Sequence, residues 1–440
     1  MRRCTTPTAF ALAAALAAGC GADRPARSGT DVLAALDRVA ESYVQLVLAM
    51  GQHDPNYVDA YYGPEAWREE AEATERPLSA IRSTADSLTA ELGRLETGRE
   101  DELVRLRHTY LTRQLAALSA YAGLLQGERL DFDAESGALY DAVAPSHSES
   151  HYAAILERLD ALLPGEGPLI ERLERFRADF VIPRERLDTV FQAAIAEARR
   201  RTAEHIALPA GESFTIEYVT DKPWSGYNWY QGGARSLIQL NVEFPITIDR
   251  ALDLAAHEGY PGHHVYNTLL EARLVEDRGW VEFSVYPLFS PQSLIAEGSA
   301  NFGVEVAFPG DERIAFERDV LFPLAGLDPD RVEEYYRVHA LAAELSYAGN
   351  EAARGYLNGE WSAARAIDWL TTYALMSPER ARQRIRFFDT YRSYVINYNL
   401  GQDLVREYIE RRGGTADRPD RRWQEFEALL ASPRLPSGLR

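Results

Sequence analysis

Apolar residues recur at helical spacing along nearly all of this 440-residue chain, and only residues 212–245 break the rhythm. An amphipathic helix buries one stripe of its surface, so a succession of such segments satisfies itself by packing helix on helix. After Thr30-Asp31, a capping pair, Val32, Leu33, Leu36, Val39, Tyr43, Leu46 and Val47 follow the helical period. The same pattern covers 78–97, 100–126, 150–163 and 184–208, with breaks at Gly63-Pro64, 131–133, 164–167 and Ile182-Pro183. Glu197 and Arg201, four apart, read as solvated helix surface. Helices resume over 249–260, 291–306, 329–356, 361–374, 377–411 and 420–431. Between the two helical regions, 213–219 and 236–242 alternate and are rich in β-formers, flanking a turn-rich aromatic segment at 226–233. The expectation is a mainly α body with a small antiparallel β-sheet in its middle. It is one large α-dominated domain over 31–440, with an N-terminal helical part (31–208) and a second part (209–440) that carries the motif described below.

With 46% hydrophobic residues the chain has the means to bury a large core, which excludes a disordered protein. The 47 basic against 67 acidic residues give a charge of −20, with no surplus to neutralise phosphates, so nucleic acid is excluded as a partner. Both cysteines, Cys4 and Cys20, lie in the first twenty residues, so the body has no disulfide framework and no thiolate zinc site. The start reads as a targeting segment: Met1-Arg2-Arg3 is basic, and the apolar run 9–18 has signal-peptide length. Small residues just before Cys20 resemble a bacterial lipobox. This implies a signal peptide over 1–19, a tether over 20–30, and an exported lipoprotein on the periplasmic side, its only membrane contact a lipidated Cys20. The alternative is a soluble periplasmic protein. Loss of residues 1–19 removes Arg2 and Arg3, leaving 45 basic against 67 acidic residues, a charge of −22.

The chemistry is concentrated at 257–264. His257-Glu258-Gly259-Tyr260-Pro261-Gly262-His263-His264 holds three of the nine histidines beside a glutamate. Neutral imidazoles bind zinc, and an adjacent carboxylate takes a proton from the attacking water. The spacing departs from H-E-x-x-H, where the histidines are four apart on one helix face. On an unbroken helix His263 would lie roughly 240° round from His257, and His264 about 10.5 Å further up the axis, so neither could share its metal. Pro261 alters this, because its ring clashes with the carbonyl of His257 and must kink or break the helix. Gly262 then allows a conformation closed to other residues. A distorted turn here can fold His263 or His264 back beside His257.

Residues 257–264 resemble the H-E-x-x-P-G-H-H signature of the bacterial domain-of-unknown-function 885 family, which looks like a branch of the zincin metallopeptidases. The family's second mark, a glutamate-glycine pair opening an alanine-containing helix, matches Glu297-Gly298-Ser299-Ala300. The resemblance implies a gluzincin-like zinc (Zn2+) site with His257, His263 and Glu297 as ligands and Glu258 as general base. His264 is the substitute ligand or a supporting donor. It also implies Tyr398, ahead of Gly401, as the donor to the oxyanion. The functional expectation is a zinc metallopeptidase acting on a peptide or small amide. The alternatives are a metal-dependent hydrolase of ester or acyl-amino substrates, and a non-catalytic envelope binding protein with a vestigial site.

Other residues are weighed more simply. Tyrosines 391, 394 and 398 have helical spacing and form an aromatic face. Arg386 and Arg392 are candidates for a substrate carboxylate or for surface ion pairs. His339 reads as a structural histidine, and His53, His108, His147, His151 and His205 lack metal spacing. Residues 236–242 are a candidate edge strand for pairing with an extended peptide, with Tyr227, Trp229 and Tyr230 lining pockets. No G-x-S-x-G elbow or Gly-rich phosphate loop is present, and the body has no cysteine nucleophile.

Overall fold

The computed structural model describes residues 29–440. The expected signal segment and Cys20 fall outside the described residues. Among these residues no helix is long and apolar enough to cross a membrane.

Helices form nearly everything, as the periodicity requires, and their starts carry the expected chemistry. Asp101 caps the helix Glu102–Leu125 by accepting from the Val104 amide, and Asp131 caps Phe132–Tyr140 through the Ala134 amide. One continuous buried cluster runs from Val32 to Leu439. Its axis is the helix Pro291–Ala307, which is buried along almost its whole length. An all-round buried helix needs neighbours on every side. Ile396–Arg411 is the most intimate of them. At their crossing a Cβ on Gly298 would lie 2.4 Å from the Gly401 backbone, and one on Gly401 would lie 2.7 Å from the Leu294 carbonyl. Two glycines therefore set how close these helices come.

The sheet keeps an antiparallel pair but differs in detail from the expected two strands flanking a turn-rich segment. Strands β2 (Ser213–Val219), β3 (Gly226–Gly232) and β4 (Arg235–Asn241) have the order β2-β4-β3, and another small pair joins β1 (Val58–Tyr61) to β5 (Val285–Pro287). The segment read as turns is itself a strand. It forms the antiparallel hairpin with β4 through Gly232 and Gly233, both at positive φ. This leaves β2 to pair with β4 in parallel. The expected peptide-binding edge at 236–242 is therefore corrected: β4 is the central strand, with its hydrogen-bonding groups used on both sides. Glu271 secures the hairpin by accepting from the Gly233 and Ala234 amides and the Tyr230 hydroxyl.

Two buried carboxylates tie the early helices to the later ones. Arg107 makes a bidentate pair with the buried Glu282 at 2.6 and 3.0 Å and reaches Asp37 at 2.7 Å, fixing the turn that leads into β5. Glu135 accepts from Arg392 Nε at 2.6 Å and from the Ser393 hydroxyl at 2.6 Å. Arg392 has φ +51°, and a 3-10 turn, Arg392–Val395, interrupts the expected continuous helix over 377–411. This break redirects Tyr394 and Tyr398 relative to Tyr391.

Replacing Gly298 by Ala forces apart two backbones already in contact, a mismatch that typically costs about 1–3 kcal/mol. Thermal unfolding should show a lower midpoint for Gly298→Ala and no change for Gly438→Ala, since a Cβ at Gly438 meets nothing within 4 Å.

Candidate metal centre

The helix that leads into the motif, Ile248–Leu254, widens into a π-helical turn over Ala255–Gly259. Such turns insert an extra residue and re-aim the side chains they carry. The chain then reverses through Tyr260, Pro261 and Gly262 before a new helix, His263–Leu270, begins. The closure is extreme: a Cβ on residue 262 would lie 1.8 Å from the carbonyl oxygen of His257 and 2.5 Å from that of Ala256. The Gly262 amide instead donates to Ala256 O at 2.9 Å. Only glycine fits there, so the expected break at Pro261-Gly262 is what brings position 263 back to 257.

The outcome is a convergence of three side chains. His257 Nε2 and His263 Nε2 stand 3.1 Å apart, and Glu297 Oε2 lies 3.3 Å from the first and 3.7 Å from the second. These three residues offer ligand atoms all within 4.8 Å of one another, a group that could hold a metal ion. Glu297 is delivered by the central helix, one residue before the Gly298 contact.

The surrounding bonds pre-set the donors. Asn301, one turn beyond Glu297, donates its amide to the Tyr398 carbonyl at 2.9 Å, so its oxygen faces His257 Nδ1 at 3.0 Å. That oxygen can only accept, so Nδ1 carries the proton and Nε2 keeps its lone pair for the cluster. Tyr394 donates to Glu297 Oε1 at 2.9 Å, while Oε2 is buried with no hydrogen-bond partner. Burial resists ionisation of Glu297, yet contacts with His257 and His263 hold its carboxyl well below the usual range.

Glu258 is 4% exposed and belongs to the same cavity, its carboxylate against the Gly226 backbone, where a Cβ would lie 2.6 Å from Oε1. Its own carbonyl accepts from Asn228 at 2.7 Å, which fixes it to β3. Burial pushes the Glu258 carboxyl up to about 7, with His263 opposing the rise and Glu297 adding to it. Asp59, from β1, lies in the same field: burial first, then Glu297 and Glu258, push it up to about 7 against the pull of His263.

His264, the substitute ligand of the sequence reading, does not join the cluster. It is fully buried, with Nε2 3.0 Å from Glu212 and Nδ1 2.9 Å from Ser236. Next to His263 on a helix, it necessarily faces another direction. Burial opposes ionisation of Glu212, yet hydrogen bonds from His264, Tyr260 and Arg199 bring its carboxyl down to about 2. His264 therefore ties the helix His263–Leu270 to the sheet.

Tyr398 lines the cavity, its ring 5.8 Å from that of Tyr394. Of the aromatic residues expected to line pockets, Tyr227 does so, whereas Trp229 is exposed and bonds Gln239, and Tyr230 is buried on Glu271. Arg392 is taken by Glu135, and Arg386 is exposed away from the cavity, so neither is free to meet a ligand there. His339 approaches Asp249 at 3.7 Å, and His205 stacks on Trp423.

The sequence reading missed Asp59, Asn228, Asn301 and Tyr394. Asn301 had a signal, four residues beyond Glu297 on one helix face, and Tyr394 had one in its spacing to Tyr398. Asp59 and Asn228 had none, since strands far away in sequence bring them in. All these residues surround a cavity of about 1090 Å3.

No family model matches the chain, and no curated protein matches it by sequence. Among solved structures it is similar to a candidate lipoprotein from Colwellia psychrerythraea, with TM-score 0.50 and 14% identity over 82% of this chain and 68% of that one. That likeness is one of fold. M32 carboxypeptidase from Deinococcus radiodurans R1 aligns over 91% of both chains, with TM-score 0.36 and 14% identity.

Two outcomes follow. Asn301→Ala should weaken binding of a divalent metal by about 10–100-fold in chelator competition, with helical content unchanged. The second concerns pH in the metal-free protein. Asp59, Glu258 and the buried Glu317 all hold protons up to about 7, whereas the unfolded chain releases them near pH 4. A raised folded-state pKa means stability that is full below about pH 4 and lost as pH rises through about 7. The carboxyls held low, Glu197, Glu212, Asp249 and Glu297, act only below that window. The thermal midpoint should therefore fall between pH 5 and 7.5, and Glu258→Gln should reduce the fall.

Proposed function

We propose that the chain is a zinc-dependent hydrolase of the metallopeptidase type, with His257, His263 and Glu297 holding the metal and Glu258 acting as general base. The observation that carries this is the unpartnered Oε2 of Glu297. A buried carboxylate oxygen with no hydrogen-bond partner, 3.3 Å from Nε2 of His257, whose Nδ1 faces Asn301, and 3.7 Å from Nε2 of His263, is a poor structural bridge and a good cation site. The resemblance of 257–264 and 297–300 to the domain-of-unknown-function 885 family points the same way. Zinc, when bound, supplies Lewis acidity that polarises a carbonyl and makes a water molecule acidic.

The protein's own part is to place a base, a donor and a dry space. A carboxyl whose ionisation burial resists can take up a proton and give it up again to a leaving amine. Glu258 meets that requirement through burial and through the contact with Gly226, which leaves its carboxylate little freedom. Tyr398, on the cavity wall beside Tyr394, is the proposed donor to the oxyanion. The substrate is a peptide or a small amide. Gly226, Tyr227 and Asn228 of the edge strand β3 line the cavity, which suits an extended peptide better than residues 236–242 do. The proposed setting is the periplasmic side of a bacterial membrane, with the chain held by a lipid on Cys20.

The purified protein should retain about one zinc per chain, as a three-ligand site requires. Glu258→Gln should keep the zinc and lose turnover by about 100-fold or more on peptides. Turnover that survives this change rules out the base. A preparation with under about a tenth of a zinc per chain, in which His257→Ala changes nothing, is instead a binding protein with a vestigial site. Esters cleaved in preference to peptides would move the assignment to another hydrolase class.

A further inference from the structure

The helix Pro378–Tyr391 forms one wall of the cavity and presents Arg380, Arg384 and Phe387 to it. Most arginines of this acidic chain are spoken for, at the surface or in the core. Arg384 is different. Among the described residues it makes no ion pair and no hydrogen bond, and its Nε is buried without a partner. The guanidinium lies 4.7 Å from the Phe387 ring centre and 5.7 Å from that of Phe388. The aromatic packing holds the planar fork still without using its N–H groups.

An unpaired guanidinium in a half-buried place loses hydration and receives nothing in return from the free protein. Burial accordingly draws its pKa below the ordinary arginine value. What such a fork fits is a carboxylate, which it grips with two parallel hydrogen bonds. Its position is equally specific. The Phe387 ring is 6.2 Å from that of Tyr398, which is 5.8 Å from that of Tyr394, the residue bound to Glu297. Arg384 thus stands on the wall that leads to the three-residue cluster.

We propose that Arg384 receives the C-terminal carboxylate of the substrate, which makes the substrate class short peptides with a free C-terminus, cut near that end. This rests on the hydrolase reading for the cut, but not for the binding. The cluster side of the cavity is acidic, with Asp59, Glu258 and Glu297. A peptide anchored at Arg384 by its carboxylate places its last peptide bonds between the arginine and the cluster. Arg380, one turn earlier, is the competing anchor. It is exposed, packs on Phe244 at 5.0 Å, and shares its surroundings with Arg177 and Arg250.

The test uses benzyloxycarbonyl-capped tripeptides with a free C-terminal carboxylate and the same peptides as C-terminal amides. Calorimetric titration into zinc-depleted protein reads binding without turnover; kcat/KM on the zinc-loaded protein reads cleavage. The free acid should bind at least about tenfold more tightly than the amide, and Arg384→Gln should abolish that difference while leaving amide binding unchanged. In cleavage the loss should appear in KM, with Arg384→Lys intermediate because an ammonium lacks the fork. Equal binding of acid and amide by the native protein overturns the proposal. So does a preference that survives Arg384→Gln, or one that Arg380→Gln removes and Arg384→Gln does not. An acid preference that depends on Arg384 in a protein that cleaves neither peptide upholds the anchor and refutes the hydrolase reading, so the two fail separately.

Discussion

The carbonyl of His257 leaves no room for a side chain at position 262, and the rest of the site depends on that contact. A regular helix would set His257 and His263 roughly 240° apart. The π-turn over Ala255–Gly259 and the reversal through Pro261 and Gly262 place their Nε2 atoms 3.1 Å apart instead. The same reversal turns His264 into the core, where Glu212 and Ser236 hold it. One close approach therefore divides two adjacent histidines between a possible metal and a structural tie.

The third member of the cluster depends on a second close approach. Gly298 and Gly401 bring the central helix and Ile396–Arg411 into backbone contact, which seats Glu297 beside the histidines and Tyr394 beside Glu297. Glu135 completes the arrangement from the N-terminal half by pinning the break at Arg392 and Ser393. The early helices are thus part of the site: they aim the tyrosines, and through β1 they add Asp59. Asn301 orients His257 and Tyr394 holds Glu297 Oε1, whereas Glu297 Oε2 and Arg384 Nε are buried without a hydrogen-bond partner.

Much of this was legible in order. The helical period gave the class of the fold, because one apolar stripe per helix is a local property of the sequence. The proline clash with residue i−4 gave the break, and the family resemblance gave the cluster. The sheet departs from the local pattern at one point. Residues 226–233 read as turns because glycine and asparagine depress β propensity, yet pairing with β4 outweighs that, and β2 becomes a parallel partner. Nothing local at Arg392 signals a stop in the helical pattern over 377–411; the break is held by Glu135, more than 250 residues earlier.

What the sequence by itself determined is the composition of the chemistry. With no cysteine in the body, any metal must be held by histidine and carboxylate, and the one dense set of these lies at 257–264. Only the tertiary structure decided which histidine faces the cluster, which tyrosine holds its glutamate and which arginine is left unpaired. The reason is physical: residue types and short-range sterics are written locally, whereas the direction of a side chain and the identity of its partner are fixed by helices and strands that meet from distant parts of the chain.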